Sequence, residues 1–311
     1  MVEYAHIFLD DLAYSSPDNV SSCGKTDLVE YIKSEKLFQS TPSELHHWAN
    51  IIRIFSDKYK DILKDLLNTL SDKNLIVKKN EKEKSEVLRR ISFVIFSCEN
   101  DHFLENFSQI KTRTKKLLRD FGSGDFLEKE IFLLLRMLFH KFSHDAVMQM
   151  IRDLWPIIFT ELLQNINNYI QLTKPNCSLI FEPFKFVELL SLVNIGEFSL
   201  YQWIFMLDTF DIKDCDARNS ESLCKKLLTN DLFKPLTLEI MKKNISDIKE
   251  NIIKGNEKAK NELFIDAKDE AGFRDQLYKF FYSIGDMNSY KVEANLDQIA
   301  ENIEKEFVEK K

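Results

Sequence analysis

An all-α fold is what this sequence predicts, and three observations carry the prediction. Among 311 residues there are only 7 glycines and 6 prolines, too few for the turns that a sandwich or barrel needs roughly every ten positions. Apolar residues make up 44% of the chain, 25 phenylalanines among them, which is ample for a sizeable core. Those residues recur at steps of three and four along most of the length, the period of helices buried on one face.

The elements follow in order. Within 40–70, the string Ser-Thr-Pro-Ser-Glu from Ser40 to Glu44 supplies cap chemistry, and Leu45, Trp48, Ile51, Ile52 and Phe55 then share one helical face. A second helix with Tyr59, Ile62, Leu63, Leu66, Leu67 and Leu70 on one side reads as its antiparallel partner. Charged residues 73–84 read as an exposed loop, apart from Leu75 to Val77. Val87, Leu88, Ile91, Val94, Ile95 and Phe96 open a third helix, and Leu104, Phe107, Ile110, Leu117 and Leu118 a fourth. Gly122 and Gly124 supply the backbone freedom that ends it, with Ser123 or Asp125 to cap the next.

The stretch 128–169 holds two further helices. Ile131 to Leu135 and Met137 to Phe139 are apolar on nearly every side, which places that helix inside a packed array. Trp155-Pro156 then marks a helix start or a kink. Further on, Lys174-Pro175-Asn176 is a loop, and Phe184, Val187, Leu190, Leu192 and Val193 form a helical face. Residues 208–222 read as a loop, 233–252 as a helix, 254–260 as a solvated turn and 276–281 as an apolar segment. An amphipathic helix at about 294–309 closes the chain, with Leu296, Ile299, Ala300, Ile303 and Phe307 along one side; its spacing suits docking or a short coiled coil. Helix pairs thus recur at roughly 40-residue intervals, the size of HEAT or armadillo units, by pattern and without a repeated signature. The expectation is one elongated domain over 1–311, with sub-blocks at 1–121 and 122–311.

A net charge of −7 and a pI near 5.5 argue against a nucleic-acid partner, whose phosphates call for a basic field. The five cysteines, Cys23, Cys98, Cys177, Cys215 and Cys224, are odd in number, widely spaced and without a Cys-x-x-Cys pair, so reduced thiols in a cytosolic setting are expected. Residues 2–13 carry Glu3, Asp10 and Asp11 and no basic region of the kind that starts a secretory signal. No window reaches the eighteen or so uninterrupted apolar residues of a membrane span. The chain is expected not to span a membrane, which leaves a position against its surface open.

Candidate chemistry is sparse. His140 and His144 stand four apart, but Ser143 and Asp145 break the shared face, and no third ligand accompanies them. The adjacent His46 and His47 diverge on a helix. Gly122-Ser123-Gly124 lacks the further glycine, lysine and hydroxyl residues of phosphate-binding loops. No nucleophile motif, metal set or cofactor loop is present, so no enzyme activity and no cofactor is expected. Trp48, Trp155 and Trp203 have apolar helical neighbours and read as core rather than interface anchors.

One feature is stronger. Lys111, Lys115 and Arg119 lie on one helical stripe with Arg113 and Lys116 beside it, five cations within nine residues of an acidic chain. Such a stripe suits a phosphoinositide head group or an anionic membrane, each surface cation contributing about 1 kcal/mol; the competing reading is a solvated face balanced by nearby carboxylates. A second basic group, Lys78, Lys79, Lys82 and Lys84, is diluted by Glu81 and Glu83. The stripe of Leu296, Ile299, Ile303 and Phe307 is the candidate partner surface, with a homodimer the simplest occupant if the helix is undocked.

The Trp155-Pro156-x-x-x-Thr160-Glu161-Leu162 string, coming after the apolar run, resembles the C-terminal region of the Dopey family of Golgi and endosome trafficking proteins. Leu37-Phe38 to Trp48, the run from Leu88 to Ser97, and Phe198 to Phe205 with Tyr201 and Trp203 are similar to that family in order and spacing. So are Glu221 to Pro235, Leu277 to Phe281, and Ile299 to Phe307, so that the resemblance covers about residues 37–309. It implies the last part of a much longer protein, with linkers at 173–182 and 208–220 shorter than the animal pattern. It also implies a non-enzymatic, peripheral trafficking scaffold on the cytosolic face of Golgi and endosomal membranes. The implied partners are a large HEAT-repeat protein related to Arf exchange factors, an aminophospholipid flippase and, for animal members, kinesin light chain. The implied lipid is phosphatidylinositol 4-phosphate. The alternative expectation is a structural or dimerising end-domain that touches no lipid.

Overall fold

A computed structural model describes residues 29–39, 41–59, 61–70, 81–119, 125–150, most of 152–160, 177–192 and 296–307. Among these residues the chain is mostly helical and holds no strand. The main helices are α1 Pro42–Lys58, α2 Ile62–Thr69, α3 Glu81–Ser97, α4 Phe107–Arg119, α5 Asp125–Lys141, α6 Cys177–Leu192 and α7 Leu296–Phe307. Short 3-10 turns occupy Glu35–Gln39 and Leu104–Asn106. The chain divides into two compact units, residues 1–161 with 299–311 and residues 162–298.

In the first unit α3 and α5 form the centre, packing more extensively on each other than any other described pair. The reason is compositional. Every residue from Ile131 to Phe139 in α5 is buried, and so is nearly every residue from Val87 to Ile95 in α3. A helix that is apolar all round has no solvent face and is stable only with neighbours on every side, each buried Leu, Ile or Phe contributing roughly 1.5–3 kcal/mol. The all-round burial predicted for 131–139 is therefore present.

α1 starts where its cap chemistry lies. The Glu44 N–H donates to Thr41 Oγ1 at 3.3 Å, while the Thr41 N–H donates to Glu44 Oε2 at 2.8 Å, a reciprocal box with Pro42 in the first turn. The Thr41 backbone N–H, helped by its hydroxyl, holds the Glu44 carboxyl below the ordinary carboxylate range. Ile51, Ile52 and Phe55 of α1 and Ile62, Leu63, Leu66 and Leu67 of α2 are all buried. The expected pairing of α1 with α2 is not the main contact, because both helices pack chiefly on α3.

Two boundaries also differ from expectation. Glu81 to Lys84 belong to α3 rather than to a loop; Lys82 and Glu83 are exposed in its first turn, and two carboxylates there favour the positive end of the helix. Leu104 lies in a 3-10 turn with 47% of its surface exposed, and the fourth helix begins at Phe107. The break between His140 and His144 occurs as predicted. Asp101, in the left-handed region at φ 59°, donates its N–H to the Lys141 carbonyl at 2.9 Å. Its Oδ1 accepts the Ser143 N–H at 2.7 Å, which ends α5 and starts the helical residues 144–150.

In the second unit, α6 buries Phe184, Phe186, Val187, Leu189 and Leu190 around an internal Pro183. Lys185 Nζ donates to Glu182 Oε1 at 2.9 Å within that apolar setting, so two buried charges meet one turn apart. The Gly122 and Gly124 turn, Trp155, Trp203, the loops at 174–176 and 208–222 and the segments at 233–252, 254–260 and 276–281 lie outside the described residues.

Candidate functional site

The basic stripe sits on α4, whose inward side is Phe107, Ile110, Thr114, Leu117 and Leu118, all buried. Those five positions fix the helix against its neighbours and turn the intervening residues outward at 100° per residue. Lys116 is exposed, and Lys111, Arg113 and Lys115 are half-buried. Arg119 is the last residue of the helix. Between Phe107 and Arg119 there is no carboxylate. No salt bridge reaches Arg113, Lys115 or Lys116 among the described residues.

Like charges on this face oppose one another. Lys111 with Lys115, and Lys115 with Arg119, are like charges at i,i+4, each such pair costing about 0.2–0.5 kcal/mol. Only Lys116 and Arg119, in the last turn, gain from the negative end of the helix.

A second charged centre lies in the first unit, where α7 meets α3 and α5. Phe307 is fully buried against Phe93 and Phe96, with ring centroids 5.1 and 5.7 Å away, and against Phe38 at 6.2 Å. Arg136 Nη1 and Nη2 donate to the two carboxylate oxygens of Glu306, both at 2.7 Å. Arg89 Nη2 donates to the carbonyls of Glu306 and Phe307 at 3.0 and 3.1 Å, and the Arg89 guanidinium lies 4.9 Å above the Phe38 ring. Carbonyls in the last turn of a helix have no partner within it, so Arg89 closes the end of α7 from outside. Glu130 adds a longer contact to Arg89 at 3.9 Å, and Glu304 meets His46 at the surface at 3.1 Å.

The candidate partner stripe is therefore largely committed within the chain: Ile303 and Phe307 are buried and Ile299 half-buried, while Leu296 is the first residue of α7. Sequence reasoning missed Arg89, Arg136 and Glu306. The available signal was the presence of Arg136 within an otherwise apolar run, since an arginine in such a place requires a carboxylate.

The remaining candidates gain little. His46 and His47 are exposed, and among the described residues no group of three or more His, Cys, Asp or Glu side chains could hold a metal. Cys98 is buried with its Sγ 3.1 Å from Ser56 Oγ, and burial pushes its thiol up to about 11, Ser56 opposing part of that shift. Lys141, whose Nζ donates to the Cys98 carbonyl at 2.9 Å, is held below its usual range by burial. Trp48 is half-buried and stacks on Tyr31 with centroids 4.0 Å apart.

Among the described residues these features are a packed set of helices, a cationic face on α4 and a late helix, α7, folded back onto an earlier core. The family model described as DOP1 C-terminal matches residues 18–291, and the chain belongs to that family, as its resemblance to Dopey proteins implies. It is similar to Protein DOP1 homolog of Drosophila melanogaster, 24% identical over 147 residues, which cover 45% of the chain and 6% of the relative. Protein dop1 of Emericella nidulans is 25% identical over 133 residues, covering 40% of the chain and 7% of the relative. The matched stretches thus span less than a tenth of these curated relatives' length. No solved structure matches the chain.

Proposed function

We propose that this domain is a non-enzymatic binding module of a DOP1-type trafficking scaffold, and that α4 carries its affinity for anionic membranes on the cytosolic face of the Golgi and endosomes. The observation that carries the reading is a 13-residue helix with five cations and no carboxylate, in a chain of net charge −7. Self-repulsion along that helix is relieved when it meets an anionic surface, where each cation adds about 1 kcal/mol. That affinity is weak on its own. Combined with protein partners of the kind the family implies, the HEAT-repeat Arf-exchange-factor relative, the flippase and kinesin light chain, it localises the longer protein through simultaneous contacts. No helix among the described residues is long and apolar enough to cross a membrane.

Sedimentation of the purified chain with liposomes tests this. Binding to vesicles containing phosphatidylinositol 4-phosphate, absence of binding to neutral vesicles, and loss of binding at high salt are the expected results. A second reading, a structural end-domain without lipid affinity, is favoured by the burial of Phe307 in the first unit. Absence of sedimentation with either vesicle selects it.

A further inference from the structure

The site where α7 docks has the makings of a receptor. Its walls, Arg89, Phe93 and Phe96 from α3 and Arg136 from α5, stand on the two helices that pack most extensively on each other, so the socket is built by contacts that do not involve α7. What it holds is the end of a helix: Ile303 and Phe307 fill apolar space, Glu306 makes the paired contact with Arg136, and Arg89 takes the last carbonyls. The first half of α7 is held less deeply, Glu301 being exposed and Ile299 and Ala300 half-buried. Twelve residues are too few to stay helical alone in water, so α7 folds as it docks. In sequence its residues from Ile299 on are separated from the rest of the first unit by residues 162–298, which form a compact unit of their own.

We infer that the Arg89, Arg136, Phe38, Phe93 and Phe96 socket is a recognition site for a helical segment ending Ile-x-x-Glu-Phe, and that α7 is its intrachain ligand, a clasp that a segment of the same chemistry displaces when the clasp is weakened. Covalent attachment gives α7 an effective concentration on the order of millimolar, which keeps the socket closed to free segments in the intact chain.

A fluorescein-labelled peptide of residues 290–311, titrated into the full 311-residue chain and read by anisotropy, tests the inference. The peptide is expected to bind the Phe307→Ala chain at least ten-fold more tightly than the unaltered chain, and a peptide carrying Phe307→Ala and Glu306→Gln is expected to bind neither. Circular dichroism checks that the variant keeps its helicity. If Phe307→Ala unfolds the chain, Glu306→Gln, which leaves the aromatic contacts in place, carries the same comparison. Equal binding to variant and unaltered chain, or none to a folded variant, overturns the inference.

Discussion

Arg113 on α4 and Arg136 on α5 carry the same guanidinium and serve opposite ends. Arg136 is buried and meets Glu306 through two hydrogen bonds of 2.7 Å; Arg113 is half-buried, with no salt bridge among the described residues. A buried charge is tolerable only with its partner, so the Arg136 pair holds structure together and is costly to break. A cation at the surface is screened and contributes little to stability, which leaves it available to an external anion. The first unit thus separates a charged region that secures the fold from the cationic face to which the proposed function assigns binding.

The largest effect falls on the securing side. Phe307→Ala, which empties a site lined by three phenylalanines, is expected to destabilise the chain by about 3–5 kcal/mol in urea unfolding. Glu306→Ala takes the paired carboxylate from Arg136 and costs about 1.5–3 kcal/mol, while the apolar double change Arg136→Met with Glu306→Leu costs less than the single one. A double change that costs as much as the sum of its parts removes the pair from the account.

Cys98 offers an intermediate check on the same core. Its folded thiol titrates near 11 rather than the ordinary 9, so the stabilising contribution is fully present below pH 9 and is lost as pH rises through 11. At pH 8 its alkylation, followed by peptide mass mapping, should be about a hundredfold slower in the native chain than in denaturant. The smallest effect belongs to the binding side. Arg113→Ala with Lys115→Ala and Lys116→Ala is expected to move stability by less than about 0.5 kcal/mol, and upward, because like charges are removed from one helix.

How much of this the sequence revealed follows from how local each feature is. The all-α class, the burial of residues 131–139 and the cap at Thr41 were legible because composition, all-round apolarity and a capping box are local patterns. The Glu81 to Lys84 turn was misread because a charged run looks the same in a loop and on an exposed first turn. That α1 and α2 pack on α3 rather than chiefly on each other was hidden, since periodicity identifies a buried face without naming what covers it. The Arg136–Glu306 contact joins residues 170 positions apart, a separation at which no spacing rule operates. That the five cations of 111–119 share one helix was legible because the pattern is local, whereas Leu104, read into the same helix, lies in the turn before it.

The most direct test of the separation runs two measurements on the Arg113→Ala, Lys115→Ala, Lys116→Ala chain: thermal unfolding, and sedimentation with liposomes containing phosphatidylinositol 4-phosphate. The account predicts an unchanged or slightly raised Tm together with loss of most vesicle binding. Vesicle binding that persists at the level of the unaltered chain, with the fold intact, contradicts it.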